Sequence, residues 1–425
     1  MQDLLNFLNE SHTQYHAARA VADHLETAGY TRLNENEEWD IVEGGSYYVT
    51  RNGSAVIAFR IPRCDFTGFM IGAAHSDSPT FRVKENAEMT DAEGYVRLNV
   101  EGYGSMLCAS WMDRPLTVAG RVMVACDGAI ETRLVYVDKD LLIIPHVAIH
   151  MNRGANSNST YDLKTDMVPL MALGGNKGGF RAAVAAAAEC EPEDILGTDL
   201  YLCVRQQACV WGANDEFVSS AKLDDLQCAY ACMEGFVHAE AGDSVPMFAL
   251  LDNEEVGSLT KQGADGTFMQ DVIDRICEAT GKDKRVAQAN SFMVSADNAH
   301  AVHPNHPEYA DATHRPHMNE GIVIKHGVRY STDGASQAIF KALCRKADVP
   351  VQLFFNRSDL AGGSTLGNIA NAHVSLNTVD IGLPQLSMHS CFETAGVKDA
   401  EYLIEVMKLF YASTLEETSG MFSLR

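Results

Sequence analysis

The chain has 425 residues and a formal net charge of −24, from 57 Asp and Glu against 33 Lys and Arg. That balance argues against general nucleic-acid binding, which draws on clustered cations, and a hydrophobic content of 46% argues against wholesale disorder. No apolar run reaches the roughly 18 residues of a spanning helix, MQDLLNFLNE lacks a basic secretory n-region, and scattered cysteines without a CxxC pair fit reduced thiols in a cytoplasmic protein.

Residues 1–28 carry helical periodicity through Leu4, Leu8, Ala18, Val21 and Leu25, with Gly29 placed to end the helical region. Tyr47–Val49 and Ser54–Ile61 read as strands joined by the turn Arg51-Asn52-Gly53. The apolar run Phe69–Ala74 delivers His75-Ser76-Asp77-Ser78-Pro79 at its carboxyl end. A histidine with a carboxylate two residues on suits a metal ligand oriented by a neighbouring acid. Short alternating segments follow at 95–100, 116–124, 132–138, 141–144 and 201–205, with one Ala-rich helix near 182–190. This region, 85–205, reads as an inserted β-rich domain, and 1–84 plus 206–425 as a discontinuous α/β domain. Within the insert, His146 and His150 lie four apart on a mostly apolar stretch; a functional use requires them to reach a site elsewhere.

From Asn214 an α/β pattern resumes. Asp224 and Asp225 open a helix running through Val237, where carboxylates suit the helix dipole and read as an N-cap pair. The apolar run 246–251 ends in Asp252-Asn253-Glu254-Glu255, and the run 291–296 ends in Asp297-Asn298. Acidic residues at the carboxyl ends of such strands sit where open α/β sheets bind ligands. Strand 322–325, helix 333–346 and strand 351–355 precede the glycine loop Gly362–Gly367, which lacks the P-loop lysine spacing. The last predicted strand, 374–384, leads to Met388-His389-Ser390, and an amphipathic helix over 397–415 closes the chain. Five segments thus end in His75, Asp224, Glu254 with Glu255, Asp297 and His389. Two histidines with several carboxylates suit Zn²⁺ or a similar divalent ion. The set has the stoichiometry of a two-metal hydrolase, in which paired ions activate a bridging water. No GxSxG elbow is present.

The stretches AAHSDSP (73–79), WMDRPLTVAGRV (111–122), IPHVAIHMNR (144–153), NDEFVSSAKLDDL (214–226), LLDNEEVGS (250–258), SADNAHAVHPN (295–305), RSDLAGGSTLGNI (357–369) and MHSCFET (388–394) resemble, in order, those of the aspartyl aminopeptidase family of dinuclear zinc exopeptidases. The resemblance implies an α/β fold with a zinc-peptidase-type α/β/α catalytic domain around a central mixed sheet, interrupted by the β-rich dimerisation insert. It implies two Zn²⁺ per subunit, replaceable by Co²⁺ or Mn²⁺. His75 and Asp297 hold one, Glu255 and His389 the other, and Asp224 bridges them. Glu254 is then the general base acting on a metal-bridging hydroxide, Asp77 orients His75, and His150 reaches a neighbouring subunit's site. A cytoplasmic tetrahedral homododecamer acting on peptides is implied. The family preference for N-terminal Asp or Glu needs a cation, and Lys325 stands at the matching position; some relatives prefer neutral residues. The chain departs from the pattern at Asp225, where Asn is commoner, and at Ala361-Gly362-Gly363. The other readings of the same residues are a two-zinc deacylase or carboxypeptidase and a non-catalytic shell.

Overall fold

A computed structural model describes residues 1–157, 160–174, 178–360 and 362–425. Helices α1 (Gln2–Glu10) and α2 (Gln14–Thr27) lead into β1 (Thr31–Leu33), β2 (Ser46–Arg51), β3 (Ala55–Arg60) and β4 (Phe69–His75). The chain then builds β5 (Thr80–Thr90), β6 (Tyr95–Tyr103), β7 (Leu116–Cys126), β8 (Ala129–Tyr136), β9 (Leu170–Leu173), helix α3 (Gly179–Ala187) and β10 (Ile195–Val204). After β11 (Cys209–Trp211) and β12 (Phe217–Ser220) come α4 (Leu223–His238), β13 (Val245–Leu251), α5 (Phe268–Thr280), α6 (Lys284–Ala289), β14 (Phe292–Ala296) and β15 (Ala299–His300). The remainder is β16 (Ile322–His326), α7 (Gly334–Lys346), β17 (Val351–Phe355), α8 (Leu366–Ala370), β18 (Asn377–Gly382), β19 (Pro384–Leu386), β20 (Glu393–Gly396), α9 (Asp399–Ala412), β21 (Leu415–Thr418) and β22 (Met421–Leu424).

A nine-stranded mixed sheet has the order β1-β2-β3-β13-β4-β14-β18-β16-β17. Its central strands are apolar throughout because both faces are covered. Side chains alternate across β4: Met70 and Ala74 join the core under α1, α2, α4, α7 and α9, while Phe69, Ile71 and Ala73 join the core under α5 and α8. The α/β/α layering follows from that alternation. A second, six-stranded sheet, β8-β7-β10-β5-β6-β9, is built wholly from residues 80–204 and has its own core around Phe81, Leu98, Val118 and Phe180.

Parallel register aligns the strand exits. Leu251 of β13 lies opposite His75 of β4, and Ser295 of β14 lies opposite Ala73. The loops after all three strands therefore emerge at one edge of the sheet, as the sequence pattern requires.

Several expectations are corrected. The first helical region is broken at residues 11–13, and residues 141–144 form isolated bridges rather than a strand. The stretch 374–384 is divided between β18 and β19, and the hairpin β21–β22 follows the final helix. Asp224 and Asp225 are not a helical N-cap pair: their backbone angles, φ −82°, ψ 107° and φ −116°, ψ 18°, are non-helical, and no side-chain cap forms at this end of α4. The loop 362–367 serves as the entry to α8, where Thr365 and Asn368 form a reciprocal capping box; Ala361 lies outside the described residues.

Candidate metal centre

His75, the last residue of β4, is 1% exposed. Its Nδ1 faces the main-chain carbonyl of Asp77 at 3.1 Å and the Asp77 carboxylate at 3.4 Å. With Nδ1 so engaged, Nε2 is left to face Asp224 Oδ1 at 3.6 Å and Asp297 Oδ1 at 4.0 Å. His389 repeats the arrangement. Its Nδ1 meets the Ser105 carbonyl at 2.8 Å, and Nε2 faces Asp224 Oδ2 at 3.4 Å and Glu255 Oε2 at 3.5 Å. The two oxygens of Asp224 thus point to different histidines.

These separations are too long for good hydrogen bonds. They match the edge of a tetrahedron around an ion, which for ligand distances near 2.0–2.1 Å is about 3.4 Å. Asp224 Oδ1 and Glu255 Oε1 are buried without a hydrogen-bond partner, a costly state for a carboxylate unless a cation lies beside it. Ligand atoms of His75, Asp224 and Asp297 converge within 4.8 Å, as do those of Asp224, Glu255 and His389, and those of His75, Glu254 and Glu255. The donor set, imidazole nitrogen with carboxylate oxygen, fits Zn²⁺.

The electrostatics agree. Burial pushes Glu255 well above the usual carboxylate range and Glu254 up to about 8, with neighbouring carboxylates adding to both shifts. Burial also raises Asp297 to about 6, against the pull of Lys325. Burial opposes charge on His389, but the adjacent carboxylates of Asp224 and Glu255 outweigh it, raising the imidazole to about 10. Protons therefore occupy groups that would release them to a metal cation.

Asp77 is fully buried, and its carboxylate does more than face His75. It accepts the backbone N–H of Glu254 at 3.0 Å and that of Glu255 at 3.2 Å, together with the Tyr103 hydroxyl at 2.8 Å. Glu393 is a further supporting acid, absent from the sequence reading of the site. It accepts the backbone N–H of Asp224 at 3.0 Å and that of His389 at 2.7 Å. Its position in the strand four residues past His389 was the available signal. Asp225 accepts the backbone N–H of His75 at 3.1 Å, so the substituted acid is a backbone anchor.

Lys325 lies in β16, 4% exposed, with Nζ 3.4 Å from Asp297 Oδ2. It is a buried cation at the edge of the cluster. His146 is held within its own chain by Asp113, at 2.6 Å. His150 is exposed and belongs to none of these ligand groupings; among the described residues its ring has no hydrogen-bond partner.

A profile of the family described as aminopeptidase I zinc metalloprotease (M18) matches residues 7–411. A protein of Clostridium novyi (strain NT), described as a probable M18 family aminopeptidase 2, is 42% identical over 96% of this chain and 98% of its own. Among solved structures, a chain of the cryo-EM structure of the Ape4 and Nbr1 complex is 36% identical, covering 97% of this chain and 85% of that one, with a TM-score of 0.93. The dodecamer structure of Saccharomyces cerevisiae mApe1 is 28% identical, covering 96% of this chain and 95% of that one, with a TM-score of 0.85. With a two-histidine carboxylate cluster at the strand exits and a family match over nearly its whole length, the chain belongs to the M18 family of zinc metalloaminopeptidases.

Proposed function

We propose that the chain releases an N-terminal acidic residue from peptides, using two zinc ions per subunit. The observation that carries this reading is the two-sided placement of Asp224, with Oδ1 toward His75 and Oδ2 toward His389. His75 and Asp297 would hold one ion, Glu255 and His389 the other, and Asp224 both. When bound, the ions supply Lewis acidity, which lowers the pKa of water and polarises a carbonyl. The other parts of the reaction fall to the protein. Glu254, held by its backbone N–H on Asp77, takes a proton from the attacking water and returns it to the departing amine. Asp77 and Glu393 fix the backbone of the ligand residues.

Lys325 supplies the cation for a substrate carboxylate. His150 completes a neighbouring subunit's site, donating to the developing oxyanion. In support, His150 sits between exposed apolar neighbours, Ile149 at 43% and Met151 at 83% exposed, a composition that marks a contact surface. A homododecamer is the assembly we infer, by likeness to the yeast dodecamer, with residues 85–205 as its oligomerisation region. No described helix is long and apolar enough to cross a membrane, and we place the enzyme in the cytoplasm.

The test is Glu254→Gln in zinc-saturated protein. Loss of roughly 10²–10⁴-fold in kcat with zinc content and assembly unchanged is expected. Parental turnover by this variant would remove Glu254 from the chemistry.

A further inference from the structure

None of the ligand residues comes from the six-stranded sheet, yet a segment that braces them leaves it. Residues 103–107 leave β6 of the six-stranded sheet and run along the metal cluster. The Tyr103 hydroxyl donates to Asp77 Oδ2 at 2.8 Å and accepts from Asn253 Nδ2 at 2.7 Å. Gly104, at φ +73°, packs so closely that a Cβ there would stand 3.2 Å from Glu255 Cβ. The Ser105 carbonyl meets His389 Nδ1, and the Leu107 N–H donates to the His389 carbonyl at 2.9 Å.

We propose that this strap sets the zinc affinity of the centre, with Tyr103 and Gly104 as positioning residues; the inference rests on the metal reading above. Each contact has a separate consequence. A carbonyl accepting from Nδ1–H fixes the His389 tautomer and leaves Nε2 free for a ligand bond. Asp77 pins the N–H of Glu254 through Oδ1 and that of Glu255 through Oδ2, and Tyr103 donates to the same Oδ2. Gly104 combines a left-handed backbone, which disfavours a Cβ, with contact against Glu255. A shift of the six-stranded sheet relative to the nine-stranded one would therefore be felt by ligand residues on both sides of Asp224.

Partners of ligating residues typically change metal affinity about 10- to 100-fold when removed. Full-length Tyr103→Phe and Gly104→Ala are titrated with zinc against a chromophoric chelator. Bound zinc per chain is measured by elemental analysis, and thermal melting of the metal-free proteins reports folding. Both variants are expected to weaken zinc binding by about tenfold or more, Gly104→Ala at one site of the pair only, with the metal-free Tm of Tyr103→Phe within a few degrees of the parent. Parental affinity at both sites in Tyr103→Phe and Gly104→Ala alike would overturn the proposal. His75→Ala and His389→Ala, titrated alongside, separate the two levels: if they too bind zinc as the parent does, the assignment of the metal residues itself has failed.

Discussion

Replacing Lys325 by Met tests specificity through a single charge. The ammonium is buried, 4% exposed, and stands 3.4 Å from Asp297 Oδ2. Burial opposes its charge, but Asp297 outweighs that and holds the lysine above the usual range, so it is cationic at neutral pH. Its three donors allow contact with a substrate carboxylate as well as with Asp297. A hydrogen bond to a charged group is worth about 1.5–3 kcal/mol, or roughly 10- to 150-fold in kcat/KM at 1.4 kcal/mol per decade. Since Asp297 already shares the cation, the lower half of that range applies. Lys325→Met also removes the neutralisation of Asp297, which affects every substrate, so the ratio between substrates isolates the pocket. The assay compares kcat/KM on Asp-, Glu-, Leu- and Ala-p-nitroanilide with zinc in saturating amount. The ratio of Asp to Leu should fall by about 10- to 30-fold. An unchanged ratio, with both rates lowered together, would refute the role in specificity and leave Lys325 as a partner of Asp297 alone.

Other outcomes follow from the same structure. His150→Ala should lower kcat by about 10²-fold, and co-assembly with Glu254→Gln subunits should restore measurable turnover, because each lacks what the other supplies across the interface; inactive mixed assemblies would place His150 outside the neighbour's site. Asp224→Asn should reduce bound zinc at both sites, measured by elemental analysis, whereas loss at one site alone would contradict a shared ligand. Burial is the leading cause holding His12 down to about 3 and His16 down to about 4, with Lys222 nearby adding to both shifts. Both rings are neutral in the folded chain and titrate near 6.5 when it unfolds. Their stabilisation is complete above pH 6.5 and is lost as pH falls toward 4, at about 1.4 kcal/mol per pH unit for each proton. Urea midpoints between pH 7 and 5 should fall less for the His12→Gln/His16→Gln double variant than for the parent; parallel curves would rule these histidines out as the cause.

The strand exits were legible because a fully buried strand reads as an uninterrupted apolar run, and polar residues stand out where it ends. His75, Glu254, Glu255 and Asp297 were found that way. Asp224 joined the candidate set from a helix start, where a carboxylate reads equally as a cap, and its place as the shared ligand came from the family resemblance; its extended backbone is set by tertiary contacts, Glu393 on its own N–H and Ser78 on its carbonyl. Strand β5 escaped notice because its middle, Lys84-Glu85-Asn86, is polar and exposed beside a register shift. Strands β9 and β12 are four residues each, too short for a period to show. Tyr103 and Ser105 carry no sequence signal for the site, because their importance lies in a contact between two sheets. Ser105 acts through a main-chain carbonyl that any residue would provide.

The most direct test of the account is the anomalous scattering of zinc in crystals of the zinc-saturated protein, collected on either side of the zinc edge. Two peaks per chain are predicted, about 3.5–4 Å apart, one beside His75 and Asp297 and the other beside Glu255 and His389, with Asp224 between them. A single peak, or peaks away from Asp224, would contradict the shared two-ion centre on which the proposed chemistry depends.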